Sequence, residues 1–273
     1  AGASAGFPGS SAGAATGAIS AGFWLIPTIG LRATTAMGIA LNTAAAIGTL
    51  WLAQHQAVDQ ARQHKSRRTV RTSRRAAIPR PALACAAAAL SGFLSLVYEV
   101  TWTRLLALVL GPTTYAFATM AASFITGIAL GSFIGTRLAR RVSDPVLWLG
   151  GTLVVTAVSA PAAAWFAASR VPMFVASHVS AGAGFESIVL QEALAVALLV
   201  LPTSIALGAG FVLAVATAMA VTAEIGRDTA RVYVANTIGA VVGALSAGFV
   251  LIPHLGLQSS FVEVSRVVAI GGI

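Results

Sequence analysis

Residues Ser91–Leu106 read SGFLSLVYEVTWTRLL, an apolar segment that carries one acid, Glu99, and one base, Arg104. The surrounding composition places both at or near membrane depth, where a charged side chain at the bilayer centre costs roughly 2.5–3.5 kcal/mol on insertion scales. A chain that keeps them beside Tyr98 and Trp102 either uses them in a functional site or places them at the outer interface. In the second case they only snorkel or pair with each other. The sequence leaves both alternatives open.

The whole chain has the composition of a membrane protein. Charged residues make up 9% of its 273 residues and hydrophobic residues 57%, against about 25% charged residues in an average soluble domain. This composition predicts an all-α polytopic membrane protein. The single cysteine, Cys85, excludes an internal disulfide and a thiolate metal cluster.

The basic residues predict the orientation of the chain. Of the 17 basic residues, eight lie between Arg62 and Arg80, three at 137–141 and two at 227–231. Positive residues in short loops mark the cytoplasmic side. We therefore expect the 54–82 loop in the cytoplasm. Because each later span reverses the direction of the chain, the basic residues at 137–141 and 227–231 fall on the same side. Nucleic-acid binding is not expected, because no aromatic platform or folded nucleic-acid-binding motif accompanies the basic residues of the 54–82 loop.

Hydrophobic runs predict about seven to eight transmembrane helices. The runs end at prolines, glycines or basic residues, and a polar loop is expected at 171–184. The 187–222 run is too long for one straight span and is expected to be kinked or broken near Pro202. The predicted spans are 13–29, 31–53, 83–103, 113–136, 146–169, 187–222 and 232–252, with an incomplete segment at 257–273.

An internal repeat organises the chain. Residues 13–31, GAATGAISAGFWLIPTIGL, align without gaps with residues 239–257, GAVVGALSAGFVLIPHLGL, and 13 of 19 positions are identical. Duplicated units are a common plan in transporters, and both copies run in the same direction in the predicted layout. We therefore predict a parallel repeat, with the end of a first repeat at 1–53, the basic loop at 54–82 and a second repeat at 83–273. The first residues lack the basic region of a signal peptide and are expected to be the cut end of a longer chain.

Glycines at four-residue spacing predict close helix packing. Gly127, Gly131 and Gly135 form a double GxxxG pattern, and Gly13 with Gly17 and Gly239 with Gly243 form single ones. Such spacing lets helix backbones approach closely. Packing within the bundle is the favoured interpretation, with a homodimer face as the alternative.

Few residues qualify for a functional site. Glu99 and Glu192 are candidates to line a cavity that accepts a cation or relays a proton, with Arg104 as the charge partner. The alternative for Glu192 is a carboxylate at the outer interface. Asn236 either caps the repeated glycine-rich helix or bonds to a neighbour. No metal site is expected, and His178 and His254 are assigned to the surface.

The apolar segments resemble the membrane part of a bacterial family of fused proteins. In this family a transporter-like helical region, of the major-facilitator (MFS) kind, precedes a spermidine synthase-like domain. The resembling strings are SGFLSLVYEVTWTRLLALVLGPTTYAF, GIALGSFIGTRLARR, LPTSIALGAGF and VYVANTIGAVVGALSAGFVLIPHLGL. The likeness covers nearly all apolar segments in order along the chain. Two departures stand out: Ser10 takes the place of Asn236 in the first copy, and the first unit lacks a YExxWxR-type segment.

The resemblance implies an MFS-like fold, a multi-pass location in the bacterial cytoplasmic membrane and a link to polyamines. The synthase-like domain of that family would bind decarboxylated S-adenosylmethionine, but its glycine-rich nucleotide loop and acidic motif are not in this sequence. We therefore expect no cofactor and no catalytic residue in this chain. The leading hypothesis is a transporter-like region that anchors a fused or associated synthase domain and moves polyamine or another cation. The alternative is a structural or accessory subunit of a membrane complex.

Overall fold

The structure, a computed structural model, describes residues 6–63, 81–111, 113–180, 184–218 and 225–271. These residues are helical almost throughout, and no strand occurs among them. The elements in chain order are α1 (Gly6–Ser20), a π-helical turn (Ala21–Leu25), α2 (Ile26–Gln63), α3 (Pro81–Val109), α4 (Thr114–Arg141), α5 (Pro145–Ser180), α6 (Phe185–Ala218), α7 (Ile225–Ser246), a second π-helical turn (Ala247–Leu251), α8 (Ile252–Leu255) and α9 (Leu257–Gly271).

Six helical segments of the described chain are long and apolar enough to cross a bilayer. The prediction of an all-helical protein with several such segments is confirmed at this level. The predicted runs 13–29 and 31–53 both fall within the first segment, and the count of seven to eight spans stays a prediction. The six segments are Gly13–Leu52, Ala82–Val109, Thr114–Arg141, Pro145–Arg170, Leu190–Ala218 and Ala230–Leu255.

The chain divides into two compact units. The first unit comprises Ala1–Gly22 and Ala76–Ile273, and the second comprises Phe23–Arg75. In the second unit, α2 presents apolar side chains outward: Leu31, Ile39 and Leu50 are 66%, 63% and 64% exposed. A helix with large apolar residues exposed along its length is suited to hydrocarbon rather than water.

Two tightly packed parallel helix pairs form the first unit. In one pair, Gly239 and Gly243 of α7 lie against Ala89 and Phe93 of α3, so both helices advance in the same direction. In the other pair, α4 lies against α6. Its contacts move from Ser204, at Gly127, to Ala209, at Gly135. Glycine at these positions allows backbone-to-backbone contact, which any Cβ would prevent.

Helices α3 and α4 run in opposite directions. Ser91 and Ser132 line one cavity whereas Leu106 and Met120 line another, so α3 and α4 are antiparallel. The starts of α3 and α7 and the ends of α4 and α6 therefore lie at one end of the first unit. The basic residues in the last turns of α4 and the first turns of α7 lie at this end, namely Arg137, Arg140, Arg141, Arg227 and Arg231.

An aromatic cluster joins α3 to α9 in the core. Tyr98, Trp102 and Phe261 are each at most 1% exposed. The Phe261 ring stacks on Tyr98 at 5.9 Å and meets Trp102 edge-on at 5.3 Å between centroids. The Tyr98 hydroxyl and the Ser265 hydroxyl are hydrogen-bonded at 3.0 Å. Large rings, rather than the small residues of the parallel pairs, thus hold α9 in place.

The expected loop at 171–184 and the expected break near Pro202 are wrong for the described residues, whereas the alternative of a kink near Pro202 stays a prediction. The predicted loop at 171–184 is helical through Ser180, because α5 continues past Pro172. The 187–222 run forms one helix, α6, with Pro202 inside it. Proline is tolerated within apolar membrane helices because neighbouring helices and hydroxyl side chains satisfy the freed backbone groups. At about 1.5 Å per residue, the 34 residues of α6 are longer than the ~30 Å hydrocarbon core.

The repeated sequence adopts the same local backbone twice. A π-helical turn occupies Ala21–Leu25 in the first copy and Ala247–Leu251 in the second. Gly30 follows with φ 80° and ψ 166°, and Gly256 follows with φ 78° and ψ 169°. This backbone region is open essentially to glycine alone. The Thr34 and Ser260 hydroxyls then donate to the carbonyl oxygens of these glycines, at 2.9 Å and 2.6 Å.

Candidate functional site

One face of α3 carries polar side chains along an otherwise apolar helix. Ser91, Ser95, Glu99 and Thr103 follow one another at four-residue intervals, which places them on one side of an α-helix. Ser91 is buried and the other three are half-buried. The Thr103 hydroxyl donates to the backbone carbonyl of Glu99 at 2.7 Å. We call these four residues the polar face of α3.

Glu99 lies at the middle of the polar face without a charge partner. Its side chain is half-buried and forms no ion pair or hydrogen bond in the part of the chain that the structure describes. Arg104 is exposed and does not reach it. The physical reason is that residues five apart on an α-helix point about 140° away from each other. The structure therefore does not bring the predicted charge partners together.

Glu192 lies in a different place from Glu99. It is half-buried on α6 and lines a small cavity of about 10 Å³ with Tyr115 and Thr119 of α4 and with Leu110, just beyond the end of α3. Leu110 lies more than ten residues past Glu99, or about 15 Å along the helix axis. The two carboxylates are thus at different depths, and the cavity beside Glu192 is close to the smallest that holds one water molecule.

Two larger cavities border the polar face of α3 at its two ends. The first, of about 220 Å³, lies between Thr103 and Leu106 of α3 and Phe117 and Met120 of α4. It adjoins Thr113, whose hydroxyl accepts a hydrogen bond from the Ala116 amide at 3.1 Å and caps α4. Its walls are mainly apolar side chains. This cavity lies between the end of α3 and the start of α4, and it gives small molecules access to within one helical turn of Glu99.

The second cavity, of about 150 Å³, combines apolar walls with four polar side chains, a grouping that sequence reasoning missed. Ser91 and Ser95 of α3, Ser132 of α4 and Asn236 of α7 face it. The signal that could have revealed it is the Ser91, Ser95, Glu99 spacing on one helix face. Asn236 lies well inside α7 rather than at its start, so the capping role predicted for it is wrong. We call this the serine cavity.

Five of the seven predicted packing glycines lie at helix contacts within the first unit. Gly127, Gly131 and Gly135 face α6, and Gly239 and Gly243 face α3, whereas an added Cβ at Gly13 or Gly17 would meet no atom within 4 Å. Gly208 also packs closely, inside α6 against the backbone of Ile128. Close contact between backbones is what forces glycine at these places.

Among the described residues, no group of three or more His, Cys, Asp or Glu side chains is placed to hold a metal ion. His254 is exposed in α8. His178 lies in α5, but its side chain is outside the described part of the structure. Cys85 is a free, half-buried thiol on α3.

Comparison with known proteins adds no assignment. No family model matches the chain, and no curated protein and no solved structure matches it significantly.

Proposed function

We propose that the chain is a transporter-like membrane region that binds a cation or a proton at Glu99. The observation that supports this most directly is the half-buried Glu99 carboxylate, which has no ion pair or hydrogen bond among the described residues although it lies in an apolar helix. Ionisable residues inside transmembrane segments are costly, and they commonly mark ion or substrate pathways. A cation or a proton at Glu99 would remove the uncompensated charge.

The neighbourhood of Glu99 favours a hydrated site rather than an isolated charge. Ser95 and Thr103 flank Glu99 one turn away on the same face, and each borders one of the two larger cavities. Hydroxyl groups and space for water on both sides lower the cost of keeping the carboxylate hydrated before a cation or a proton binds to it. Arg104 and Glu192 have secondary places in the proposal, since the described arrangement holds both apart from Glu99.

The proposed orientation follows the charge distribution. The basic ends of α4 and α7 lie at the same end of the first unit, and short basic segments favour the cytoplasmic side. We place that end, with the 54–82 loop, in the cytoplasm. Location in the bacterial cytoplasmic membrane, and an attached spermidine synthase-like domain, are proposed from the resemblance of the apolar segments alone.

Substrate flux tests the role of Glu99. Purified protein would be reconstituted in liposomes, and uptake of radiolabelled spermidine and proton flux would be measured for wild type, Glu99→Gln and Glu263→Gln. Glu263 is a matched control because its exposed carboxylate already pairs with Arg266 at 2.6 Å. We expect Glu99→Gln to abolish the flux and Glu263→Gln to retain it. Unchanged flux in the correctly folded Glu99→Gln variant would contradict the proposal.

The synthase link has a separate test. The intact mass of the polypeptide would be measured after isolation from its native membrane. A mass well above 27.6 kDa is expected if these helices anchor a fused domain, and aminopropyl transfer would then be assayed in that protein. A mass near 27.6 kDa would contradict fusion and leave only a non-covalent partner.

A structural or accessory subunit is the second candidate function. Gly13 and Gly17 are exposed on α1, with no neighbouring atom near them, whereas the equivalent Gly239 and Gly243 lie against α3. An open glycine face on a membrane helix is suited to another helix. Cysteine cross-linking from Gly13→Cys in the native membrane, with Cys85→Ala as background, would capture such a partner. A monodisperse protein that purifies and moves cations without one would count against this function.

A further inference from the structure

The serine cavity lies between the two parallel helix pairs. Gly92 of α3 packs against the backbone of Asn236 on α7, and Gly208 of α6 packs against Ile128 on α4. These glycines bring the helices of each pair together, and the space that remains between the pairs is about 150 Å³. The cavity is therefore produced by the packing of four helices rather than by one irregular segment.

Most polar side chains of this cavity have no hydrogen-bond partner among the described residues. Elsewhere in the first unit, hydroxyls such as those of Thr136 and Thr217 donate to the carbonyl four residues earlier, at 2.7 Å and 2.9 Å. The side chains of Ser91, Ser95 and Asn236 form no hydrogen bond among the described residues. Ser91 is only 5% exposed and lines the cavity, so its hydroxyl can meet a hydrogen-bonding molecule there.

Ser132 contributes a further polar group from the opposite wall. Its hydroxyl is 3.5 Å from the carbonyl oxygen of Gly208, which is at the outer limit of hydrogen-bond length. Hydroxyl and amide groups that lack a partner among the described residues can pair with a hydrogen-bonding guest. The cavity is large enough for several water molecules.

The lining selects the chemical class of the guest. Hydroxyl and amide groups both donate and accept hydrogen bonds. No charged side chain lines the serine cavity in the described structure, and Glu99 is one turn away from Ser95. An ion would thus find no opposite charge in direct contact, whereas a neutral guest needs none. We infer that the serine cavity binds small uncharged hydroxylic molecules, namely water and short alcohols or polyols.

Cysteine reactivity tests this inference. On a Cys85→Ala background, Ser95→Cys would be exposed to the neutral hydroxyethyl methanethiosulfonate and to its ammonium- and sulfonate-bearing analogues. The cysteine thiolate attacks the reagent to form a mixed disulfide and releases methanesulfinate. Thr101→Cys is the matched control, since Thr101 is buried on the same helix with its hydroxyl bonded to Val97. Rates would be normalised to those of a free aqueous thiol.

We expect Ser95→Cys to react with the neutral reagent at least about tenfold faster than Thr101→Cys, because a thiolate forms only where polar surroundings reach it. The charged reagents should react at least about tenfold more slowly than the neutral one at this position. Ser132→Cys, from the opposite wall, provides a second site if Ser95→Cys does not fold. Equal rates at the cavity and control positions, or faster reaction with a charged reagent, would overturn the inference.

Two further variants show whether the cavity causes the reactivity of Ser95→Cys. Ala240→Leu adds a side chain from α7 at the cavity wall and should slow the labelling of Ser95→Cys. Glu263→Gln should leave the labelling unchanged, because Glu263 pairs with Arg266 and does not line the serine cavity. An unchanged labelling rate of Ser95→Cys in the Ala240→Leu variant would also contradict the inference.

Discussion

The hydrogen bond between Tyr98 and Ser265 is a single contact that joins two distant parts of the first unit. Tyr98 is fully buried on α3 and Ser265 is 5% exposed on α9. We expect Tyr98→Phe to lower the free energy of unfolding by about 1 kcal/mol, because it leaves the Ser265 hydroxyl unpaired in the core. Chemical unfolding in detergent, followed by tryptophan fluorescence, would measure the change.

The double variant separates the hydrogen bond from packing. Tyr98→Phe combined with Ser265→Ala removes both polar groups, and its cost should be less than the sum of the two single costs. Strict additivity would mean that the hydroxyl pair does not contribute. Thr156→Val on α5 is a useful reference, because Thr156 is buried but bonds only within its own helix.

At the scale of single residues, the sequence identified unusual residues better than it identified which residues contact each other. The insertion cost of a charge in an apolar run was enough to single out Glu99 and Arg104. Their separation by five positions already argued against a contact on one helix, and the structure shows none among the described residues. Ser91 and Ser132 are 41 residues apart, and no local pattern connects two such distant positions across one cavity.

The contact between α4 and α6 shows how a helix pair depends on one missing side chain. A Cβ at Gly131 would collide with the carbonyl oxygen of Ile205 and approach the Ala209 amide, both of which are backbone atoms. We expect Gly131→Ala to lower the free energy of unfolding by roughly 1–3 kcal/mol, since the helices must separate to admit a methyl group. The measurement is chemical unfolding in detergent.

Gly151→Ala is the control for this effect. Gly151 also lies within a membrane helix, α5, but no atom is near enough to meet an added methyl group. Its replacement should be neutral or stabilising by up to about 1 kcal/mol, because alanine favours the helix more than glycine does. Equal losses in the two variants would show that close packing is not the function of Gly131.

Helix existence was predictable and helix ends were not. Apolar runs long enough for a bilayer located every long helix from α3 to α7. The ends differed because proline was given the effect that it has in water, where it would stop a helix at Pro172 or break it near Pro202. Neighbouring helices supply alternative hydrogen-bond partners in a bundle, so α5 and α6 continue.

The arrangement of all helices gives the first unit two distinct ends. Ser143, between α4 and α5, and Gly184, before α6, are exposed at opposite ends because α5 lies between them. With the basic end in the cytoplasm, a membrane-impermeant maleimide added to intact cells should label Gly184→Cys and not Ser143→Cys. Both variants would carry Cys85→Ala, and lysed cells should label both. The reverse pattern would invert the proposed orientation.

Global pairing could not be predicted from the sequence. The GxxxG patterns of α4 and α7 predict close packing, but not that α4 packs against α6 and α7 against α3. These partners are not neighbours in the chain, and their choice depends on how all helices share the available surface. The serine cavity arises from that choice, which explains why only the three-dimensional structure reveals it.

The pairing of α3 with α7 also has a consequence for biosynthesis. Gly239 packs against Ala89, which is translated roughly 150 residues earlier. At ~5–20 residues per second, this separation corresponds to about 8–30 s. Through that interval the Gly92 side of α3, next to Glu99, meets lipid or the insertion machinery instead of its partner. The α4–α6 pair is complete before α7 is translated, so translation itself orders the assembly, and α7 and then α9 join the bundle afterwards.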